Sequence, residues 1–259
     1  MTDHFLLGTD ILSLSGNELK DKTSDVKNDY GTPNLLFFYY TPTIPSDKQD
    51  ELAAVQKDFY SWNAWELAVA ESQLQTQLKK GTLPSDDSTE SREKRATYRA
   101  KVDIYLRENS EDGWLLLDRT PTSSPPFSKT VKKSEVNGVI RQVLRDHYAT
   151  AKEPSQLGVM INLISDVAAY NPSVEHKYYW TNALFQYNSD LIQALTFTVT
   201  QTPVKGSADS VNLRIETLDN VYKLDMDEWK KARGKVNRDL LDSGEKIRKE
   251  MALDFALDS

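Results

Sequence analysis

Two stretches in the second half of the chain alternate strictly between apolar and polar residues, and they restrict the fold more than any other feature. In the first, Leu195, Phe197 and Val199 alternate with Thr196, Thr198 and Thr200; in the second, Val211, Leu213 and Ile215 alternate with Asn212, Arg214 and Glu216. Successive side chains of a strand project to opposite faces, so this pattern describes a sheet with one apolar face and one polar face. Pro203 to Asp209 supplies the turn between them, which predicts paired strands over 191–202 and 210–218. Another strand is expected from Tyr178 to Tyr187. Far upstream, Tyr98, Ala100, Val102, Ile104 and Leu106 alternate with Arg99, Lys101, Asp103, Tyr105 and Arg107. With a turn over Asn109–Gly113 and a return strand over Trp114–Leu117, this predicts a second hairpin. The run Leu35–Tyr40 (LLFFYY), set between Pro33 and Pro42, reads as a well-buried strand.

Between these strands the apolar spacing turns helical. Ser46 and Gln49 have the spacing of a capping box, and a long helix over 47–80 should follow. Its inward face would carry Leu52, Val55, Phe59 and Trp62, then Val69, Leu74 and Leu78, with Gly81 and Pro84 ending it. Residues 84–95 read as an exposed loop and 120–128 (TPTSSPPFS) as a proline-rich connector. Ser134 is placed to cap a helix bearing Val139, Ile140, Val143, Leu144 and His147. Pro154 suits the first turn of another, ending at Asn171-Pro172. Asp225 or Asp227 can start a C-terminal helical tail over about 225–257, with Trp229, Val236, Leu240, Ile247 and Met251 on one side and Gly234 and Gly244 weakening it. The segment Phe5–Leu14 fits a short helix or a strand. Hairpin-type strands without regular βαβ alternation predict one α+β domain over 1–259: a mostly antiparallel twisted sheet with amphipathic hairpins, packed by several helices.

Several functional classes are excluded by what the chain lacks. With no cysteine there is no disulfide framework, thiolate metal site or cysteine nucleophile. No G-x-S-x-G, H-E-x-x-H, P-loop or G-x-G-x-x-G motif occurs, and His4, His147 and His176 lie in separate segments. His147 falls on an apolar helix side, where a core histidine is the simpler reading. The cluster Asp225-Met226-Asp227-Glu228 is what a helix N-terminus prefers, and it outweighs a metal-site reading. The expectation is therefore no catalytic residues, no metal and no cofactor. A net charge of −7 argues against nucleic acid. No apolar run reaches the roughly 20 residues of a spanning helix, and the opening MTDHFLLGTD does not read as a secretory signal, which predicts a cytoplasmic protein. Charge is nevertheless uneven: Lys230–Lys249 holds eight Lys or Arg and three acidic residues. The segment is either a solvated helix face or an electrostatic contact with acidic headgroups or an acidic partner.

Amphipathic strands in a chain with helices between them suit either of two lives. An ordinary antiparallel sheet has one solvated face, and a soluble β-pore former later turns its apolar face to lipid. The opening FLLGTDILSLSGNEL, followed after a polar gap by YGTPNLLFFYYTPT from Tyr30 to Thr43, resembles the start of gasdermin pore-forming domains. Size and lack of cysteine are similar to the compact fungal gasdermin-like regulators of cell death. The stretch Tyr178–Leu218, preceded by two helices, also resembles the late strands of Cyt-type cytolysins. The gasdermin resemblance implies lytic cell death by homo- or hetero-oligomers on acidic lipids of the inner plasma-membrane leaflet. It further implies two inserting hairpins per protomer. By position, Phe5, Leu6 and Leu7 would then contact the membrane, and Val102, Ile104, Leu106, Leu195, Phe197 and Val199 would line inserting strands. Charge clustering places headgroup contacts at Lys230, Lys231, Arg233, Lys235 and Arg238. The competing class is a non-enzymatic protein–protein interaction module acting through the C-terminal helix, and an enzyme using scattered acidic residues comes third.

Overall fold

The computed structural model describes residues 35–42, 44–108, 115–117, 122–123, 125–148, 176–186, 189–204, 206–207 and 209–257. It is an α+β protein. The expected segment Phe5–Leu14, the turn Asn109–Gly113 and the helix after Pro154 lie outside the described residues.

The first strand, β1 (Leu35–Pro42), follows from the LLFFYY run, and Phe37 and Tyr39 are fully buried. Helix α1 (Gln49–Lys79) then runs for 31 residues. Its start departs from the expected capping box. Ser46–Lys48 forms a 3₁₀ turn instead, and the Lys48 amide donates to the Pro45 carbonyl at 3.0 Å. Its end is as expected. Gly81 sits at φ 68°, the Thr82 amide donates to Gln77 O at 3.1 Å and the Gly81 amide to Leu78 O at 3.0 Å. That pair of bonds closes the last turn as a Schellman motif, which needs the left-handed residue that glycine supplies without strain.

Residues 98–107, expected as a strand, belong to α2 (Thr89–Glu108), which also takes in the end of the expected 84–95 loop. Val102 and Leu106 are buried in this helix. The remaining elements are β2 (Leu115–Leu117), β3 (Thr122–Ser123), β4 (Phe127–Lys132), α3 (Val136–Tyr148), β5 (His176–Gln186), β6 (Ser189–Pro203) and β7 (Ser210–Leu224). They are followed by α4 (Met226–Arg233), α5 (Arg238–Met251) and β8 (Ala252–Leu257). The C-terminal tail is thus two helices and a strand rather than one helix over 225–257.

The strands hydrogen-bond in the order β2-β7-β6-β5-β1-β8, with β3 and β4 also on β7. β2, β3 and β4 are antiparallel to β7. Only two residues separate β5 from β6 in sequence, a connection that suits antiparallel neighbours alone. β8 pairs parallel to β1, from Phe37↔Ala252 to Pro42↔Leu257. Along β7 the burial alternates with period two, but its phase changes. Val211, Leu213, Ile215 and Thr217 are buried in the first part; Asn220, Tyr222 and Leu224 are buried in the second. The change falls at Leu218, the exposed large apolar side chain among the described residues.

The chain divides into two compact units. One comprises residues 1–119, 181–193 and 221–259; the other comprises 120–180 and 194–220. The first has an aromatic centre in which the Phe59 ring lies 5.8 Å from Tyr39, 5.3 Å from Phe185 and 5.5 Å from Trp62. Within it α5 lies along α1, and Gly244 permits the approach: a Cβ there would stand 1.8 Å from the Ala64 carbonyl oxygen. The second unit holds β4, α3 and the parts of β6 and β7 within 194–220, with Val131, Val136, Ile140, Leu144, Val211, Leu213 and Ile215 buried.

Candidate functional site

The predicted contact residues fall into three groups. Phe5, Leu6 and Leu7 lie outside the described residues. Leu195, Phe197 and Val199 do fall at alternate positions of a strand, β6, which neighbours β7 in the sheet. Val102, Ile104 and Leu106 do not: they are helical, so the inserting hairpin expected over 98–117 does not exist, and β2 pairs with β7 instead.

The basic segment is partly engaged. Arg233 donates to Asp58 at 2.7 Å, and Lys230 stands 3.5 Å from the same carboxylate. Lys231 meets Glu228 at 2.5 Å, and that pairing pushes its pKa up. Lys235 and Arg238 are exposed. The acidic cluster beside it acts as a helix start: Asp225 accepts from the Glu228 amide at 3.0 Å, the ordinary N-cap bond. Farther along, Arg248 is buried against Tyr60, 4.0 Å from that ring centroid, and is held by Glu245 through two bonds of 2.7 and 2.8 Å. Burial alone would lower the Arg248 pKa, yet the Glu245 bonds and the neighbouring Tyr39 raise it.

What sequence reasoning missed is a charged stripe between α1 and α2. Ser91, Arg95, Arg99, Asp103 and Arg107 recur at every fourth residue of α2, and all are buried. Facing them, α1 buries Asn63, Glu66, Glu71 and Gln75. Glu66 takes Arg107 by two bonds, Nε at 2.5 Å and Nη2 at 2.9 Å, while Arg107 Nη1 reaches Thr181 of β5 at 3.0 Å. Glu71 accepts from Arg99 at 2.9 Å and from Gln75 at 2.8 Å. Asn63 donates to Glu66 at 3.0 Å and accepts from the Tyr39 hydroxyl. Arg95 donates to the carbonyls of Pro84 and Asp86, which fixes the bend between the two helices. Asp86 itself is held far below the usual carboxylate range, by the Ser88 bond foremost and then that of Ser91. For Arg107 burial opposes the charge, but Glu66 outweighs it and raises the pKa. Burial pushes Tyr222 up to about 12, so this neighbour of Arg107 and Glu66 stays neutral.

Among the described residues no group of His, Cys, Asp and Glu is arranged to hold a metal. Also among them, no helix is long and apolar enough to cross a membrane. Within the stripe Arg99 and Arg107 of α2 are tied to Glu71 and Glu66 of α1, and these pairs join the two helices. No family model and no curated protein matches the chain. A solved structure, that of the Evf virulence factor, is similar at a TM-score of 0.40 with 11% identity, over 88% of this chain and 87% of that one.

Proposed function

We propose that the chain is a non-enzymatic, membrane-perforating protein of gasdermin-like type that acts through the β6–β7 hairpin. Its role would be lytic cell death, by oligomers assembled on acidic lipid. The observation that supports this reading is the hairpin itself. Both strands are 15 residues long, beyond the 9–11 or so that a tilted strand needs to span a bilayer. Residues 194–220 also belong to a different compact unit from α1, α2 and α5. On β7 the alternation of Val211, Leu213 and Ile215 with Asn212, Arg214 and Glu216 provides one apolar and one polar face, as a barrel wall requires. The protein would move from the cytoplasm to the inner face of the plasma membrane, and the exposed Lys235 and Arg238 are the better-placed headgroup contacts. The competing module reading has less support, because the C-terminal helix it relies on buries Leu240, Ser243, Ile247 and Arg248 in its own unit.

The test uses the absence of cysteine. Thr130 of β4 and Asn212 of β7 are register partners, both exposed, and their side chains bond at 2.6 Å. A T130C/N212C pair would tie the hairpin to β4. Wild type should release dye from liposomes containing acidic lipid and not from neutral ones. The oxidised pair should be silent and regain leakage on reduction. Equal leakage from the cross-linked protein refutes insertion of this hairpin, and no leakage from any acidic liposome refutes the function.

A further inference from the structure

Asp103 stands apart within the buried stripe. Its neighbours on α2, one turn to either side, are Arg99 and Arg107, and each is already held by a glutamate of α1. Asp103 is 2% exposed, and neither of its carboxylate oxygens has a hydrogen-bond partner. The third buried arginine of the stripe, Arg95, lies two turns from Asp103 and donates to the carbonyls of Pro84 and Asp86. An ionised Asp103 would therefore be a third carboxylate beside two guanidinium groups already engaged by glutamates, in a place water hardly reaches. An uncompensated buried charge is among the costliest things a fold can contain, and such a group sheds its charge instead.

We infer that Asp103 carries a proton in the folded protein and that the docking of α2 on α1 is latched by that proton. In the protonated state Arg99 keeps Glu71 and Arg107 keeps Glu66. Loss of the proton creates a carboxylate one turn from both Arg99 and Arg107. It competes with Glu71 for Arg99 or with Glu66 for Arg107. Either outcome weakens the join between the helices.

None of the other ionisable groups around α2 bonds Asp103. From α1 they are Glu66 and Glu71, both engaged. β1 brings Tyr39, whose hydroxyl donates to Asn63. β2 is Leu115–Leu117 and brings none. Tyr222, near Arg107, stays neutral because burial raises it. Burial first, and then the negative charge of Glu66, raise the Asp103 pKa well above the ordinary value, against the smaller opposing pull of the two arginines.

The sign follows directly. Between the unfolded value of about 4 and the raised folded value, the folded chain holds one more proton than the unfolded chain, so stability falls as pH rises. Across that window the folding constant should drop about tenfold per pH unit, then level off above the folded value. Asp103→Asn keeps the shape and has no proton to lose. Unfolding in urea across this range should therefore show a falling curve for wild type relative to D103N. Amide exchange should show α2 losing protection in wild type relative to D103N as pH rises. If D103N does not fold, the carboxyl-carbon NMR signal of Asp103 in the wild-type chain still decides. At about pH 5 it should report a protonated acid, where an aspartate in an unstructured peptide is ionised. Titration of Asp103 together with the surface aspartates, parallel stability curves, or unchanged α2 protection would each overturn the latch.

Discussion

Gly244 sits where the backbones of α5 and α1 approach closely, and the cost of any side chain there can be read from one distance. An alanine methyl would overlap the Ala64 carbonyl, at 1.8 Å, and backbone cannot step aside as a flexible side chain can. Gly244→Ala should therefore destabilise despite alanine's better helix propensity, which by itself would favour it by about 1 kcal/mol. Forced overpacking costs about 1–3 kcal/mol or more, and a lowered urea midpoint is the expected reading. A raised midpoint would mean that α5 does not approach Ala64 closely. The sequence invited the opposite inference, that Gly244 merely weakens its helix, because glycine in a helix looks like a defect until the neighbouring chain is known. A second single-residue test concerns Glu66, which anchors Arg107. Glu66→Gln strands a buried guanidinium and should cost about 3–5 kcal/mol, measured as the loss in unfolding free energy at neutral pH.

At the level of elements, the sequence yielded the long helix, the buried first strand and the strands β5 to β7, and it failed on α2 for a definite reason. Residues four apart share one face of a helix, and because four is even they also share one face of a strand. Arg99, Asp103 and Arg107 therefore kept step with a period-two pattern, while Val102, Ile104 and Leu106 filled the other parity. Burial of the charged stripe removed the remaining cue, since a helix normally turns its charges outward. The charged stripe itself was legible only as spacing, Arg95-Arg99-Asp103-Arg107, and nothing in the sequence says that Glu66 and Glu71 face it. Its energetics are testable as a pair. Arg99→Met alone leaves Glu71 buried beside Gln75 without its cation and should cost about 3–5 kcal/mol. Adding Glu71→Leu should recover most of that loss, because an apolar pair of similar volume is often neutral or stabilising. A double variant as unstable as the single would show that the pair does more than neutralise its two charges.

Over the whole molecule, the feature without a counterpart in the sequence reading is the parallel join of β8 to β1. Parallel partners need not be neighbours in the chain, so no turn signal announces them, and residues 252–257 looked like the end of a helix. Deleting residues 252–259 should leave the LLFFYY strand with an open edge, the arrangement that invites pairing with other chains. Light scattering should report self-association of the truncated protein, together with a lower thermal midpoint; a monomer of unchanged stability would show that β8 is dispensable. The join also sets an order of events during synthesis. At a translation rate of about 5–20 residues per second, β1 leaves the ribosome some 10–40 s before the strand that pairs with it is made. Until β5 is made the LLFFYY strand has both hydrogen-bonding edges unclaimed, and from then until β8 is made it still has one. Yield in cells should therefore depend on chaperone supply and on the speed of decoding far more than the finished protein's stability would suggest.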